Sequence, residues 1–330
     1  MKVGLVGILQ NPSVRMSSHN AGWTHVYLSM LQAKHDDVEV INDSFNWNEY
    51  DVIYINEGVN FKEGVWNLFG GVSDKLIKKL AQLNNFKGSI FFWGDFTPNY
   101  NELIEKRKIS KHLLGDNYNI PSLKINVLPS INNSNKLVLG DSHTISVYNS
   151  GYDIKRMDGK TLNGILKEGL INHIKPHQNL IRLYAGNIDV RHHICRLYKE
   201  DERTLQCDRL ISELESQIKA LESSNISFEI VKLLPIENET RKIPKTGYYD
   251  NKPFWGSWRE RTDISRYINN ELHKMCLRLR IELLEWNSLT NNDQELDFKN
   301  MEAKQSVHLA PSSYMFDFII KKDKNNLTLF

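Results

Sequence analysis

Lys136-Leu137-Val138-Leu139-Gly140-Asp141-Ser142-His143 decides how this chain is read: a short apolar run breaks abruptly into a glycine and polar residues. An apolar run of that length, bounded by turn residues, is the pattern of a strand buried on both faces, and its polar end marks where the strand leaves the sheet. The pattern recurs downstream, where Leu180 to Ala185 runs into Gly186-Asn187 and Phe228 to Leu234 stops at Pro235. A long polar helix is expected between Glu200 and Ser223, a second helix over Arg261 to Arg280, and a last strand over Ile281 to Trp286. Gly247 to Trp258, rich in glycine and aromatics, reads as an irregular flap.

The first half repeats the alternation. Lys2 to Leu9 is an apolar run closed by Gln10-Asn11-Pro12, Asn20 to Gln32 reads as a helix, and Val38 to Ile41 as a strand. Asp51 to Asn56 and Ser89 to Trp93 are further strands, with helical spacing of Leu76, Ile77, Leu80 and Leu83 between them. Strands alternating with helices imply parallel sheets covered on both faces. The fold class expected is α/β: two Rossmann-like or flavodoxin-like three-layer domains with mainly parallel sheets. The asparagine-rich stretch from Asn117 to Asn135, which holds two prolines, marks the boundary, so the expected domains are 1–125 and 126–330.

Composition excludes several classes. The 330 residues carry 42 Lys+Arg against 40 Asp+Glu, a net charge of +2, which argues against a basic nucleic-acid sleeve and against an acidic tail protein. Hydrophobic residues at 40% and aromatics at 10% suit a folded globule rather than a disordered chain. The early run Val3 to Leu9 is too short to span a membrane and lacks the flanks of a secretion signal. Three cysteines (Cys195, Cys207, Cys276) with no CxxC pair argue against a disulfide scaffold or a structural zinc site. The expectation is a soluble cytoplasmic enzyme, in the host cytoplasm if a phage encodes it, with no membrane partner and an oligomeric state that the sequence does not reveal. The abundance of Asn, Lys and Ile suggests an AT-rich genome.

In parallel α/β sheets, ligands bind at the carboxyl ends of strands. Gly140-Asp141-Ser142-His143 and Gly186-Asn187-Ile188-Asp189-Val190-Arg191-His192-His193 both lie at such ends, and Ser306-Val307-His308-Leu309-Ala310-Pro311 supplies a late histidine. These blocks, in this order over residues 135–320, resemble the SGNH (GDSL-like) hydrolase superfamily. Phe254-Trp255-Gly256-Ser257, Arg261 and Asn269-Asn270-Glu271-Leu272 add a secondary likeness. The resemblance implies Ser142 as nucleophile, His308 as general base, and an oxyanion hole of backbone amides, the Asn187 side chain and a glycine, Gly159 or else Gly164. A serine hydroxyl needs such a base to become a nucleophile, and fixed N–H donors are worth roughly 3 kcal/mol each to a developing oxyanion. The family places an aspartate three residues before the histidine; here that position is Gln305, and the nearest upstream carboxylate is Glu302. The site therefore reads as a dyad, as a histidine oriented by a carbonyl, or as a pocket that has lost hydrolysis.

Asp141, His143, Asp189 and Arg191 are candidate substrate-binding residues, with an internal ion pair as the other reading of Asp189 and Arg191. No metal is expected: on an extended segment His192 and His193 would point opposite ways, and Pro176 interrupts the helix that would align His173 with His177. No cofactor is expected either. Asp158-Gly159-Lys160-Thr161 lacks the upstream glycine of a phosphate loop, and Gly4-Leu5-Val6-Gly7 is not a dinucleotide fingerprint.

Tyr50 to Asn56, Val59-Asn60-Phe61, Gly70-Gly71 and Phe91 to Phe96 resemble the amino-terminal domain of bacteriophage DNA glucosyltransferases over about residues 1–110. That likeness implies a carbohydrate or modified-nucleotide substrate and raises DNA as a partner, which Lys106-Arg107-Lys108 could contact. Asn20, at a helix start that suits an anion, and Glu57 and Asp95, each following a strand, are the candidate binding residues of this half. Two enzymatic readings and one inert one result. The first is an SGNH-type esterase or O-acyltransferase acting through a Ser142 acyl-enzyme on a sugar or modified acceptor. The second is a phage-type DNA- or glycan-modifying glycosyltransferase whose SGNH-like half only binds, and the third a recognition protein of two inert domains.

Overall fold

The computed structural model describes residues 1–6, 24, 26–32, 34–41, 46–56, 88–93, 126–127, 134–157, 159–237, 254–291, 294–301 and 307–316. The chain divides into two compact units, Met1–Ile131 with Phe318–Phe330, and Asn132–Asp317.

The first unit holds strands β1 (Lys2–Val6), β2 (Asp37–Ile41), β3 (Val52–Asn56), β4 (Ser89–Trp93) and β5 (Asn126–Val127). They form one parallel sheet in the order β2-β1-β3-β4-β5. Val3, Leu5, Ile41 and Ile53 are buried, and so are Val26, Leu28 and Leu31 of the helical residues 26–32. Asn126–Val127, which the sequence alone does not mark as a strand, completes this sheet, and the expected division at 125/126 lies just upstream of it.

The second unit repeats the arrangement with β6 (Lys136–Gly140), β7 (Asp153–Arg156), β8 (Leu180–Tyr184), β9 (Ser227–Val231) and β10 (Glu282–Leu284), in the order β10-β9-β8-β6-β7. Every pairing is parallel. Numbered within each unit, both sheets have the order 2-1-3-4-5, the doubly wound order in which the chain reverses direction between its first and third strands. Both units are thus parallel α/β folds.

Helices α1 (Leu162–Glu168), α2 (Glu200–Glu222) and α3 (Trp258–Leu279) pack on the second sheet. Successive inward residues alternate along a strand, so Leu137 and Leu139, Ile181 and Leu183, Phe228 and Ile230 present one apolar face. α2 meets it with Cys207, Ile211, Leu214, Ile218 and Leu221, spaced by four and three residues as a helical stripe requires. Each such aliphatic side chain contributes about 1.5–3 kcal/mol on burial. α3 starts at a capping box: the Ser257 hydroxyl accepts the Glu260 N–H and the Glu260 carboxylate accepts the Ser257 N–H. The opposite face carries Arg182, held between the rings of Tyr152 and Phe316 at 4.5 and 4.3 Å and donating to Glu229 at 2.7 Å. No helix among the described residues is long and apolar enough to cross a membrane.

Where β6 and β8 part, the backbones come close. The Asp141 N–H donates to the Tyr184 carbonyl at 3.1 Å, and a Cβ on Gly140 would stand 1.8 Å from that same oxygen. A glycine is required here for approach, not for flexibility. Gly140→Ala should therefore cost about 3 kcal/mol or more in stability, at the upper end of overpacking. Urea unfolding checks this, and a wild-type midpoint would contradict it.

Candidate active site

Ser142 follows β6 and Asn187 follows β8, the two strands that flank the reversal of strand order, which is where doubly wound sheets place their ligands. Gly140 ends β6 and the chain tightens at once: the Thr144 N–H bonds to the Asp141 carbonyl and the Ser146 N–H to the His143 carbonyl, leading into the 3-10 turn Thr144–Val147. Ser142 stays half-buried at the rim while Asp141 and His143 turn inward. Arg156, at the end of β7, donates to the Ser142 carbonyl at 3.1 Å and fixes the turn from the side.

His308 comes from the far end of the unit. Its segment is held by a bridge between Met301 and Leu309, by the Ala310 N–H on the Asn300 carbonyl at 2.9 Å, and by the Met315 N–H on the Ser146 carbonyl at 2.8 Å. The result is a direct meeting: His308 Nε2 lies 2.8 Å from Ser142 Oγ, with both residues half-buried. That distance and order of groups is what a serine hydroxyl and its general base require. Gln305 and Glu302 lie outside the described residues. Asp297 is engaged by Lys299, whose backbone N–H and ammonium lie 3.0 and 3.2 Å from its carboxylate and hold it below the usual carboxylate range.

Asn187, three residues past the end of β8, is fully buried and its orientation is imposed. Its Oδ1 accepts the Tyr184 hydroxyl at 2.5 Å and the Leu234 N–H at 3.2 Å, while Nδ2 donates to the Leu234 carbonyl at 3.2 Å. An amide nitrogen carries two hydrogens, and Leu234 takes one. Tyr184 is thus a site residue that the sequence reading passed over; its signal was its place as the last residue of β8, three before Asn187. Burial raises its hydroxyl well above the ordinary tyrosine value, so it remains a donor to Asn187. Asn269 grips the same β9 exit, taking the Leu233 N–H at 2.8 Å.

The glycines differ. Gly159 occupies an exposed turn after β7 at φ 73° with open space around it, whereas the Gly164 N–H is taken by the Thr161 hydroxyl at 2.8 Å as the cap of α1.

The four charged candidates face inward. Asp141 receives the His143 backbone N–H and lies 2.9 Å from its ring Nδ1. Asp189 caps α1 across 27 residues of chain, accepting the Leu162 N–H at 2.7 Å and the Asn163 N–H at 3.3 Å. The Arg191 Nε lies 2.9 Å from each oxygen of Glu237 in a buried ion pair, so Asp189 and Arg191 each have an internal contact but are not each other's partners. Residues Asp189–Ile194 form a π-helix rather than the extended segment expected around His192 and His193. Such an expanded turn is a common companion of functional sites; here it lets Asp189 reach α1 and Arg191 reach Glu237. Arg261 is also buried, donating to the Gly256 carbonyl at 2.6 Å with its guanidinium 3.7 Å from the Phe254 ring. Asn20, Glu57 and Asp95 lie outside the described residues, as do Val59, Asn60, Phe61, Gly70, Gly71 and Gly94 to Phe96 of the glucosyltransferase resemblance.

No family model matches the sequence, and no curated protein matches it. Solved structures do. A GDSL-like lipase from Bacteroides thetaiotaomicron is 14% identical at a TM-score of 0.37, covering 54% of this chain and 81% of that one. The psychrotrophic esterase EstA from a Pseudoalteromonas species is 12% identical at 0.30, covering 53% and 86%. The OSK domain of Drosophila Oskar is 15% identical at 0.32, covering 49% and 70%.

Burial is the largest influence on Asp189 and pushes its carboxyl up to about 7, against the backbone N–H groups of Leu162, Asn163 and Asp189 itself, which favour its charge. A raised acid pKa means the folded state holds a proton that the unfolded chain releases, so this residue's contribution to stability falls as pH rises from about 4 to about 7. Asp189→Asn should remove that slope. Denaturation at a series of pH values should show wild type losing up to about 4 kcal/mol relative to the variant across this window. A difference that stays constant with pH would show that the carboxylate is ionised throughout.

Proposed function

We propose that the second unit is a serine esterase or O-acyltransferase that works through a Ser142 acyl-enzyme. The observation that carries this reading is the 2.8 Å separation of Ser142 Oγ and His308 Nε2 at the reversal of strand order. Ser142 Oγ attacks the ester carbonyl as its proton passes to His308 Nε2. The tetrahedral oxyanion is received by the backbone N–H of Ser142 itself and by the second N–H of Asn187, fixed in place by Tyr184 and Leu234. His308 returns the proton to the departing alkoxide, leaving the acyl group on Ser142. Water completes hydrolysis, or a hydroxyl of an acceptor completes transfer, with His308 again as base.

The acyl-bearing or acyl-accepting molecule is proposed to be a carbohydrate or a sugar-modified nucleotide, in keeping with the resemblance of residues 1–110; that resemblance also motivates DNA as the larger partner. The glycosyltransferase reading gains no observation of its own.

A fluorophosphonate probe tests the reaction class. Wild type should be labelled at Ser142, Ser142→Ala should take no label and hydrolyse no aryl acetate above background, and His308→Ala should react at least about 1,000-fold more slowly. Because Ser142 lies at the rim, thermal stability of its variant should stay close to wild type. Label on another residue, or an unchanged rate in Ser142→Ala, would sink the reading.

A further inference from the structure

His143 stands next to the nucleophile in sequence, yet its side chain is almost entirely inaccessible and tied at both ends. Its Nδ1 is 2.9 Å from Asp141 Oδ1, and its Nε2 is 2.8 Å from the backbone carbonyl of Val307. A carbonyl only accepts, so Nε2 carries a hydrogen and donates it. Val307 immediately precedes His308, and the His143 and His308 rings lie 4.8 Å apart, centroid to centroid, tilted by 52°. The His143 and Tyr184 rings also meet in a T-shaped contact, centroids 5.7 Å apart. One buried imidazole therefore connects the turn that bears Ser142 to the peptide that bears His308, and contacts the tyrosine that orients Asn187.

We infer that His143 is a positioning residue: the Asp141–His143–Val307 chain of contacts clamps the His308 segment against the nucleophile turn and sets the register of base and serine. This inference rests on the hydrolase reading for its catalytic consequence, but the clamp itself is a property of the fold. The geometry is demanding in the way a clamp should be. A buried donor or acceptor left unpaired is unfavourable, so the Val307 carbonyl holds its place only while Nε2 faces it. A base displaced by about 1 Å costs on the order of 100-fold in rate. A residue that merely filled space would not need polar partners at both nitrogens.

Two variants and two readouts test the inference. His143→Phe keeps a ring of similar size and removes both contacts; His143→Gln keeps a donor able to reach the Val307 carbonyl. Active sites are titrated with fluorophosphonate so that turnover of an aryl acetate is expressed per reactive serine. His143→Phe should lower kcat per titrated site by about 100-fold with KM nearly unchanged, and His143→Gln should recover a substantial part of it. A purely structural role would reduce the number of titratable sites and leave kcat per site alone, and that result would overturn the inference. Hydrogen exchange of the peptide spanning residues 301–316 supplies the second readout, independent of catalysis. Exchange there should accelerate in His143→Phe and less in His143→Gln; unchanged exchange would overturn the clamp. If exchange accelerates but wild type shows neither label nor turnover, the clamp stands and the hydrolase reading fails.

Discussion

The Tyr184 carbonyl, with the Asp141 N–H bonded to it and no room for a side chain at position 140, is the contact on which the site depends. β6 and β8 run side by side up to that point, and beyond it their chains must part because β6 leads to β7 on one side and β8 leads through α2 to β9 on the other. Such a parting leaves a crevice at every doubly wound switch point. What is particular here is how close together the two walls begin. Pairing persists through Gly140 and Tyr184, the last residue of each strand, so Ser142 and Asn187 emerge only two and three residues beyond a fixed hydrogen bond. With so little intervening chain, neither side chain can wander far without disturbing the sheet.

Around that contact the interior is polar, whereas the sheet face beneath α1, α2 and α3 is apolar. Buried polar groups are costly without partners, and several here find theirs across long sequence separations. Asp189 holds the start of α1, Arg191 holds Glu237, and Asn187 and Asn269 hold the exit of β9 at Leu234 and Leu233. A buried ion pair such as Arg191–Glu237 adds little net stability over a packed apolar pair. Its effect is to make one arrangement of the strand-end loops far better than its neighbours, because any shift leaves a buried charge alone. The apolar face supplies the stability, and the polar edge spends part of it on defining where each loop lies.

This division explains what could be read in the sequence. β6, β8 and β9 are buried on both faces and show as apolar runs; α2 and α3 show because their stripes are long and α3 begins with Ser257 and Glu260 in a capping box. β7 was missed because Asp153–Arg156 is an edge strand with a single apolar residue, Ile154, and little of a buried pattern. α1 was missed because it is seven residues long, contains Gly164, and draws its cap from Thr161 and from Asp189 far along the chain. Ser142 and His308, which meet at 2.8 Å, were legible as a pair from motif and order. The inward turn of Asp141 and His143 was not, since the partner that draws His143 inward, the Val307 carbonyl, lies 164 residues away.

The position of His308 shows why so remote a partner is used. The segment bearing it belongs to no strand of the sheet, so no ladder of hydrogen bonds fixes its register. Two of its attachments instead run to the residues just after Ser142, the Val307 carbonyl to His143 and the Met315 N–H to the Ser146 carbonyl. Serine and histidine are thereby referred to the same short turn rather than to two separately moving parts of the scaffold. A displacement of that turn carries both together, which favours the 2.8 Å separation. A site whose reactive pair must stay within hydrogen-bond reach gains more from such a shared support than from a stiffer sheet, because only relative motion of the two groups affects proton transfer.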